Sequence, residues 1–250
     1  MQSMEIENMM NKKLLTAALA ATLMSGAGYS QAEDEFAISG NVALTSDYRF
    51  RGISQSDESA AIQGGFDASF SPGFYLGTWG SSVDFNNAED YDGSLELDYY
   101  GGWRSAIGDT DFGIDVGYIY YDYPGDDGAD GDYQEFKVAG SWKTLALSVN
   151  YSDDYYAGTD EFWYLAADYS HAFTDSLTLG LHAGWNILEE GEGFLSSDED
   201  NYTDYSVKLT YTVAGVGLSV AWVGTTLDED DVFGTDWADD TAVFTISKSM

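Results

Sequence analysis

From Phe36 onward, hydrophobic positions recur at every second residue. Phe36, Ile38, Gly40, Val42 and Leu44 fall on one face of an extended segment, with Ala37, Ser39, Asn41, Ala43 and Thr45 on the other. A period of two is that of a β-strand, whose successive side chains point to opposite faces. The alternation returns over 62–70, 75–85, 95–103, 112–120, 136–142, 145–151, 163–169, 177–185, 205–213, 216–222 and 242–246. No helical period interrupts it, so twelve strands are expected. In the third segment the apolar face is read as Tyr75, Trp79, Val83 and Phe85. Short turns near 71–73, 107–109, 143–144, 174–175 and 214–215 alternate with longer polar loops near 47–60, 86–93, 124–132, 153–161, 189–201 and 228–240. Six long and five short connections suit an even-stranded up-and-down barrel with both termini on the short-turn side.

Alternation alone also fits a soluble β-sandwich, in which the apolar face packs inward; in a membrane barrel it faces lipid and the polar face lines the lumen. Three features favour the membrane. Aromatic residues gather at segment ends, as interfacial girdles require: Phe36, Tyr75, Phe85, Trp103, Trp142, Tyr151, Trp163, Tyr169, Trp185, Tyr205 and Trp222. The polar face is rich in small residues, Gly113, Gly117, Ser141, Ser148, Gly180 and Gly184 among them, which suits a crowded interior. The last strand runs to the C-terminus, with Met250 in phase with Phe244 and Ile246, so closing the barrel there would leave no free edge. The expected fold is all-β: a transmembrane up-and-down antiparallel β-barrel of about twelve strands.

Composition adds a compartment and a polarity. Lys12 and Lys13 precede the apolar run Leu14 to Met24, and Ser30-Gln31-Ala32 offers small residues where a signal peptidase reads. This predicts a signal peptide over 1–32, with Met10 as an alternative start, and a barrel over 33–250. The formal net charge is -35, yet 16% of residues are aromatic, so the chain is expected to fold rather than remain disordered. Nine basic residues against 44 acidic ones exclude a nucleic-acid binder, because phosphates need Lys and Arg. With no Cys there is neither a disulfide nor a thiolate metal site.

The stretches NVALTSDYRFRGISQSD, AIQGGFD, GFYLGTWGSSVDF and LELDYYGGW, following a signal peptide, resemble the TorF-type porins, a family of expected outer-membrane barrels. The resemblance spans Phe36 to Met250 and is most specific in its first third. It implies a Gram-negative outer-membrane location and a passive channel, and it carries no catalytic or ligand residues. Barrels of this class usually end in Phe; here the last residue is Met250.

Continuing the phase of the first segment puts Tyr48 and Phe50 on the lipid face and points Arg49 and Arg51 into the lumen or its mouth. Asp67, Glu96, Asp98, Asp115, Glu135, Asp168 and Asp204 share the inward phase, as do Lys137 and Lys208. These eleven residues are the pore-lining candidates. The arginines either brace the wall as a structural ladder or face carboxylates across a constriction. Tyr100, Tyr121 and Tyr164 on the same phase narrow the lumen further. Loops two to six carry 24 acidic residues and no Lys or Arg. If they rim one end, they concentrate cations there over about 8 Å at physiological salt.

The run DDGADGD at 126–132 is not an EF-hand, since Lys137 stands where the bidentate Glu belongs. His171 and His182 are the only histidines, and no G-x-S-x-G accompanies them, so no catalytic residue is expected. The expectation is a non-enzymatic, porin-like channel without cofactor, passing small hydrophilic solutes with a cation preference and contacting outer-membrane lipid. The alternative is a non-conducting barrel whose acidic loops bind divalent cations, surface lipid or another cell.

Overall fold

The computed structural model describes residues 36–85, 93–125, 131–189 and 194–250. The signal-peptide expectation therefore lies outside the described residues, as do 126–130 of the acidic run. Among the described residues there are fourteen strands: β1 (Phe36–Thr45), β2 (Arg49–Phe50), β3 (Ile53–Ser54), β4 (Ala61–Phe70), β5 (Phe74–Ser82), β6 (Leu95–Ala106), β7 (Phe112–Asp122), β8 (Tyr133–Trp142), β9 (Leu145–Ser152), β10 (Phe162–Ala172), β11 (Leu177–Leu188), β12 (Asn201–Val213), β13 (Val216–Thr225) and β14 (Thr241–Ser249). Twelve of them, all but β2 and β3, form one closed antiparallel barrel in chain order. Closure is made by β1 against β14, from Asn41 opposite Ser249 to Thr45 opposite Thr245. Gly40 and Met250 exchange both backbone hydrogen bonds, which finishes the seam. The twelve strands are those the alternation marks, and their closure removes the unpaired edges that an open sheet would present.

Turn chemistry agrees with the short connections. Ala214 and Gly215 have φ of 51° and 74°, the pair of positive values that a two-residue hairpin needs to match strand twist. Along β1 the even-numbered Phe36, Ile38, Val42 and Leu44 are exposed on the outer surface, and on β14 so are Phe244 and Ile246. Trp142, Trp163, Trp185 and Trp222 join this outer face. An apolar belt of this extent suits hydrocarbon rather than water.

The core lies inside the barrel, at the long-loop end. Buried there are Tyr48, Ile53, Tyr121, Tyr133, Tyr155, Phe162, Tyr202 and Trp237. This overturns two expectations of facing. Tyr48 and Phe50 do not continue the lipid face of β1, because the chain leaves the wall after Thr45; β2 and β3 pair as a separate two-stranded sheet. On β5 it is Phe74 and Leu76 that face outward, whereas Tyr75 and Trp79, and Val83 and Phe85 just past its end, belong to the interior. Asp67 opposite Gly77 sets that register. Both faces of β5 are apolar or aromatic, so alternation could not choose between them.

Candidate functional site

Ser46 to Ala60 connect β1 to β4, and the turn between β2 and β3 reaches across the lumen. The turn requires two left-handed residues, Arg51 with φ 46° and Gly52 with φ 85°. Glycine is needed at 52 for space as well, since a Cβ there would run into Thr225 Cγ2 of β13 and lie 3.1 Å from Asp204 Cβ of β12. On the opposite wall, the Tyr48 ring meets Trp79 of β5 edge-on at 5.6 Å, and its hydroxyl donates to Glu96 Oε1 of β6 at 2.8 Å. Phe50 packs on Tyr121 of β7 at 5.8 Å. The hairpin thus spans the barrel, touching strands on opposite sides.

Arg51 anchors it. Its guanidinium pairs with Glu135 of β8 at 2.8 Å and donates to the Tyr155 hydroxyl at 3.3 Å. The same group lies over the rings of Phe162 and Tyr164 of β10, at 4.6 and 4.3 Å, and over its neighbour Phe50 at 4.7 Å. Burial pushes the Tyr155 phenol up to about 12, so it is neutral at physiological pH. Asn150 Nδ2 supplies a second donor to Glu135 at 2.8 Å. A buried charge with partners on this scale is held, whereas a lone one would be expelled.

Arg49 does something different. It pairs with Asp47 and with Glu58, the latter at 3.1 Å, and donates to the backbone oxygens of Trp237 and Asp239. Trp237 Nε1 in turn donates to Asp57 at 2.9 Å. Arg49 therefore stitches the hairpin to the last long loop at the rim, and of these two arginines it is Arg51 that enters the lumen.

The remaining candidates all lie on the inner face, in two zones. Glu96, Asp98, Glu135 and Asp204 are buried beside the hairpin. Asp204 accepts from Asn186 Nδ2 at 2.8 Å and from the Tyr164 hydroxyl at 3.2 Å, and lies 2.9 Å from His182 Nε2. The other ring nitrogen of His182 is 2.8 Å from Asp168 Oδ1, so the imidazole bridges two strands as a satisfied structural group. Toward the short-turn end, Asp67, Asp115, Lys137, Asp168 and Lys208 are only half-buried. Here Tyr100 donates to Asp67 at 2.7 Å and Tyr75 to Asp115 at 2.8 Å. The wall below the hairpin is thus polar and partly accessible, and the wall beside it is closed.

One luminal base escaped sequence reading. Arg104 stands opposite Asp115 in the ladder, with its guanidinium 4.9 Å from the Tyr75 ring centre. The signal was present, since 104 continues the even-numbered inward phase of Glu96, Asp98 and Tyr100. The inward placement of Tyr75 and the burial of Trp237 beside the hairpin had no such signal.

At the rim, Glu229, Asp236 and Asp239 bring carboxylate oxygens within 4.8 Å of one another, a set that could hold a cation.

A closed barrel with this apolar exterior and polar inner wall has known counterparts. A family profile described as "Bacterial protein of unknown function (Gcw_chp)" matches residues 29–250. The chain belongs to the Gcw_chp family. No curated protein matches it. Among solved structures, this Gcw_chp chain is similar to the KdgM porin, at 10% identity over 84% of this chain and 97% of the other, with a TM-score of 0.53. The NanC porin gives 11% identity, 84% and 98% coverage and a TM-score of 0.53. A KdgM porin in complex with disordered oligogalacturonate gives 9%, 85%, 96% and 0.50. At these identities the likeness is one of fold: the Gcw_chp barrel is porin-like and has the strand architecture of small porins. The expectation of a porin-like barrel holds at that level.

Proposed function

We propose that the protein is an outer-membrane channel of a Gram-negative bacterium, exported through a cleaved signal peptide, that passes small hydrophilic solutes by diffusion and prefers cations. The observation that carries this reading is the combination of an apolar outer belt with an inner wall that is charged and partly accessible below the hairpin. A barrel that served only as an anchor would have no need of Asp67, Arg104, Asp115, Lys137, Asp168 and Lys208 along its interior. Twelve strands fall between about eight, where side chains fill the barrel, and about sixteen, where a wide aqueous channel remains. The hairpin then sets the conductance, and Arg51 with Glu135 is the constriction pair.

Cation preference rests on the 24 acids of loops two to six, unrelieved by any Lys or Arg. The KdgM porin has been solved with oligogalacturonate, a polymer of sugar acids. Passage of small solutes fits the shared architecture, but acidic loops would repel a polyanion, so the solutes favoured here are neutral or cationic. The test is the reversal potential of the refolded mature chain in a planar bilayer under a KCl gradient. A cation-directed potential with discrete steps supports the reading; a silent bilayer with confirmed insertion defeats it. Silence would favour the second reading, a barrel whose loops bind divalent cations, which the grouping of Glu229, Asp236 and Asp239 supports.

A further inference from the structure

The tyrosines beside the hairpin are sealed, Tyr48 and Tyr121 at 3% exposure each, but three aromatic residues on the wall that runs down from it are not. Trp79, Tyr100 and Tyr75 are half-buried on the inner face. They descend in order. In the ladder between β5 and β6, Trp79 stands opposite Asp98, Gly77 opposite Tyr100 and Tyr75 opposite Gly102, so each ring starts two residues, about 7 Å, below the last.

The two tyrosine rings lie along the wall rather than across the lumen, and glycine gives them room. A Cβ at Gly77 would come 2.5 Å from Tyr100 Cζ, and one at Gly102 would come 2.7 Å from Tyr75 Cζ. Each tyrosine is held at its far end. Tyr100 crosses β5 to donate to Asp67 of β4 at 2.7 Å, and Tyr75 crosses β6 to donate to Asp115 of β7 at 2.8 Å. At the lower end the Arg104 guanidinium lies over Tyr75, 4.9 Å from the ring centre. Charge on this half-buried wall favours neither sign, since Asp67, Asp115 and Asp168 are matched in number by Arg104, Lys137 and Lys208.

The geometry points to a binding track for neutral sugars on this wall, with a pyranose ring stacked on Tyr100 between Trp79 above and the Tyr75–Arg104 pair below. The C–H bonds on one face of a sugar ring carry slight positive charge and meet the negative face of an aromatic ring. Its hydroxyls both donate and accept, so they suit a wall that sets carboxylates such as Asp67 beside bases such as Arg104. An aromatic floor with a few placed polar groups is the usual make-up of a small-molecule site. An organic cation would meet the three bases, and an acidic sugar the acidic loops above. The inference rests on the diffusion-channel reading and names its solute class.

The full mature chain is refolded into lauryldimethylamine oxide, whose headgroup carries no sugar, and titrated by calorimetry with maltotriose, with sorbitol and with a galacturonate trimer. Maltotriose should bind best; sorbitol has hydroxyls but no ring, and the acidic trimer carries the wrong charge. Tyr100→Leu keeps apolar bulk without a flat face and should weaken maltotriose binding roughly tenfold, while Tyr100→Phe, which keeps the ring, should stay close to wild type. Wild-type protein that binds no maltotriose, or binds sorbitol or the acidic trimer as well, overturns the proposal, as does folded Y100L that binds like wild type. Should Y100L fail to fold, the wild-type ranking of the three probes decides. The same protein is placed in a planar bilayer, where maltotriose should interrupt the K⁺ current. Conductance steps without sugar binding in either assay overturn the track and leave the channel; calorimetric binding with a silent bilayer defeats the channel and leaves a sugar-binding barrel.

Discussion

Replacing Arg51 with Ala removes the link that ties the hairpin to β8 and β10, and the consequence can be sized. The side chain is buried, and its loss leaves Glu135 without its counter-ion and Tyr155, Phe162 and Tyr164 without the cation they surround. Breaking a buried pair by removing one partner costs about 3–5 kcal/mol. The pair exists only while the hairpin is docked, so this energy acts on the docked-to-released equilibrium. At about 1.4 kcal/mol per factor of ten, release becomes roughly 10² to 10⁴ times more frequent. Trypsin reports it, because Arg49 is sequestered beside Asp47 with its side chain 4% exposed and is cut only when the hairpin leaves the barrel. In R51A, cleavage after Arg49 should accelerate by that factor while the barrel stays folded and heat-modifiable on a gel. Slow cutting then reports the released population rather than the release rate. The double variant R51M/E135L should return toward the wild-type rate, since an apolar replacement of a buried pair is often neutral. R51A that is folded yet cut after Arg49 no faster than wild type refutes the anchoring role.

In a planar bilayer, R51A should show larger conductance steps than wild type; equal steps would mean that the hairpin does not set the pore. Replacing Glu229, Asp230 and Asp231 with their amides should move the reversal potential toward zero. The change should be greater at 0.1 M than at 1 M KCl, where the screening length falls from about 10 to 3 Å. Gly52→Ala forces a side chain onto Thr225 from a left-handed backbone, and by overpacking it should cost about 1–3 kcal/mol, read as a lower melting temperature and faster cleavage after Arg49. Phe66, 65% exposed on the outer face, should cost about 2–4 kcal/mol when changed to Arg if it sits near the bilayer midplane. The inward neighbour Asp67→Asn should change little, and urea unfolding in lipid vesicles compares the two.

Alternation made most of the barrel legible. Phe136 to Trp142 on β8 and Tyr205 to Val213 on β12 carry apolar residues on one face and polar or small ones on the other, and each faces as expected; Phe112 to Tyr118 on β7 does the same, up to the inward Ile119. The inward acids followed from the same phase, as Arg104 would have. Legibility failed where both faces were apolar or aromatic, at Tyr48 and Phe50 and along β5. There the period of two survives but its sign does not. The interior at that end is filled by aromatic residues of a folded-in loop, so the usual rule that polar means inward is suspended.

The sequence by itself determined the twelve strands of the barrel, the short turns between them and the lipid face of most, because these depend on periodicity and turn residues close together in the chain. Only the tertiary structure decided what fills the lumen. The contacts that fix the hairpin join Tyr48 to Glu96, Arg51 to Glu135 and Arg49 to the carbonyl of Trp237, across separations of 48, 84 and 188 residues. Such pairings obey no local period. They follow from barrel closure, which brings distant strands within reach of one loop and leaves that loop's aromatic side chains the interior as the place to be buried.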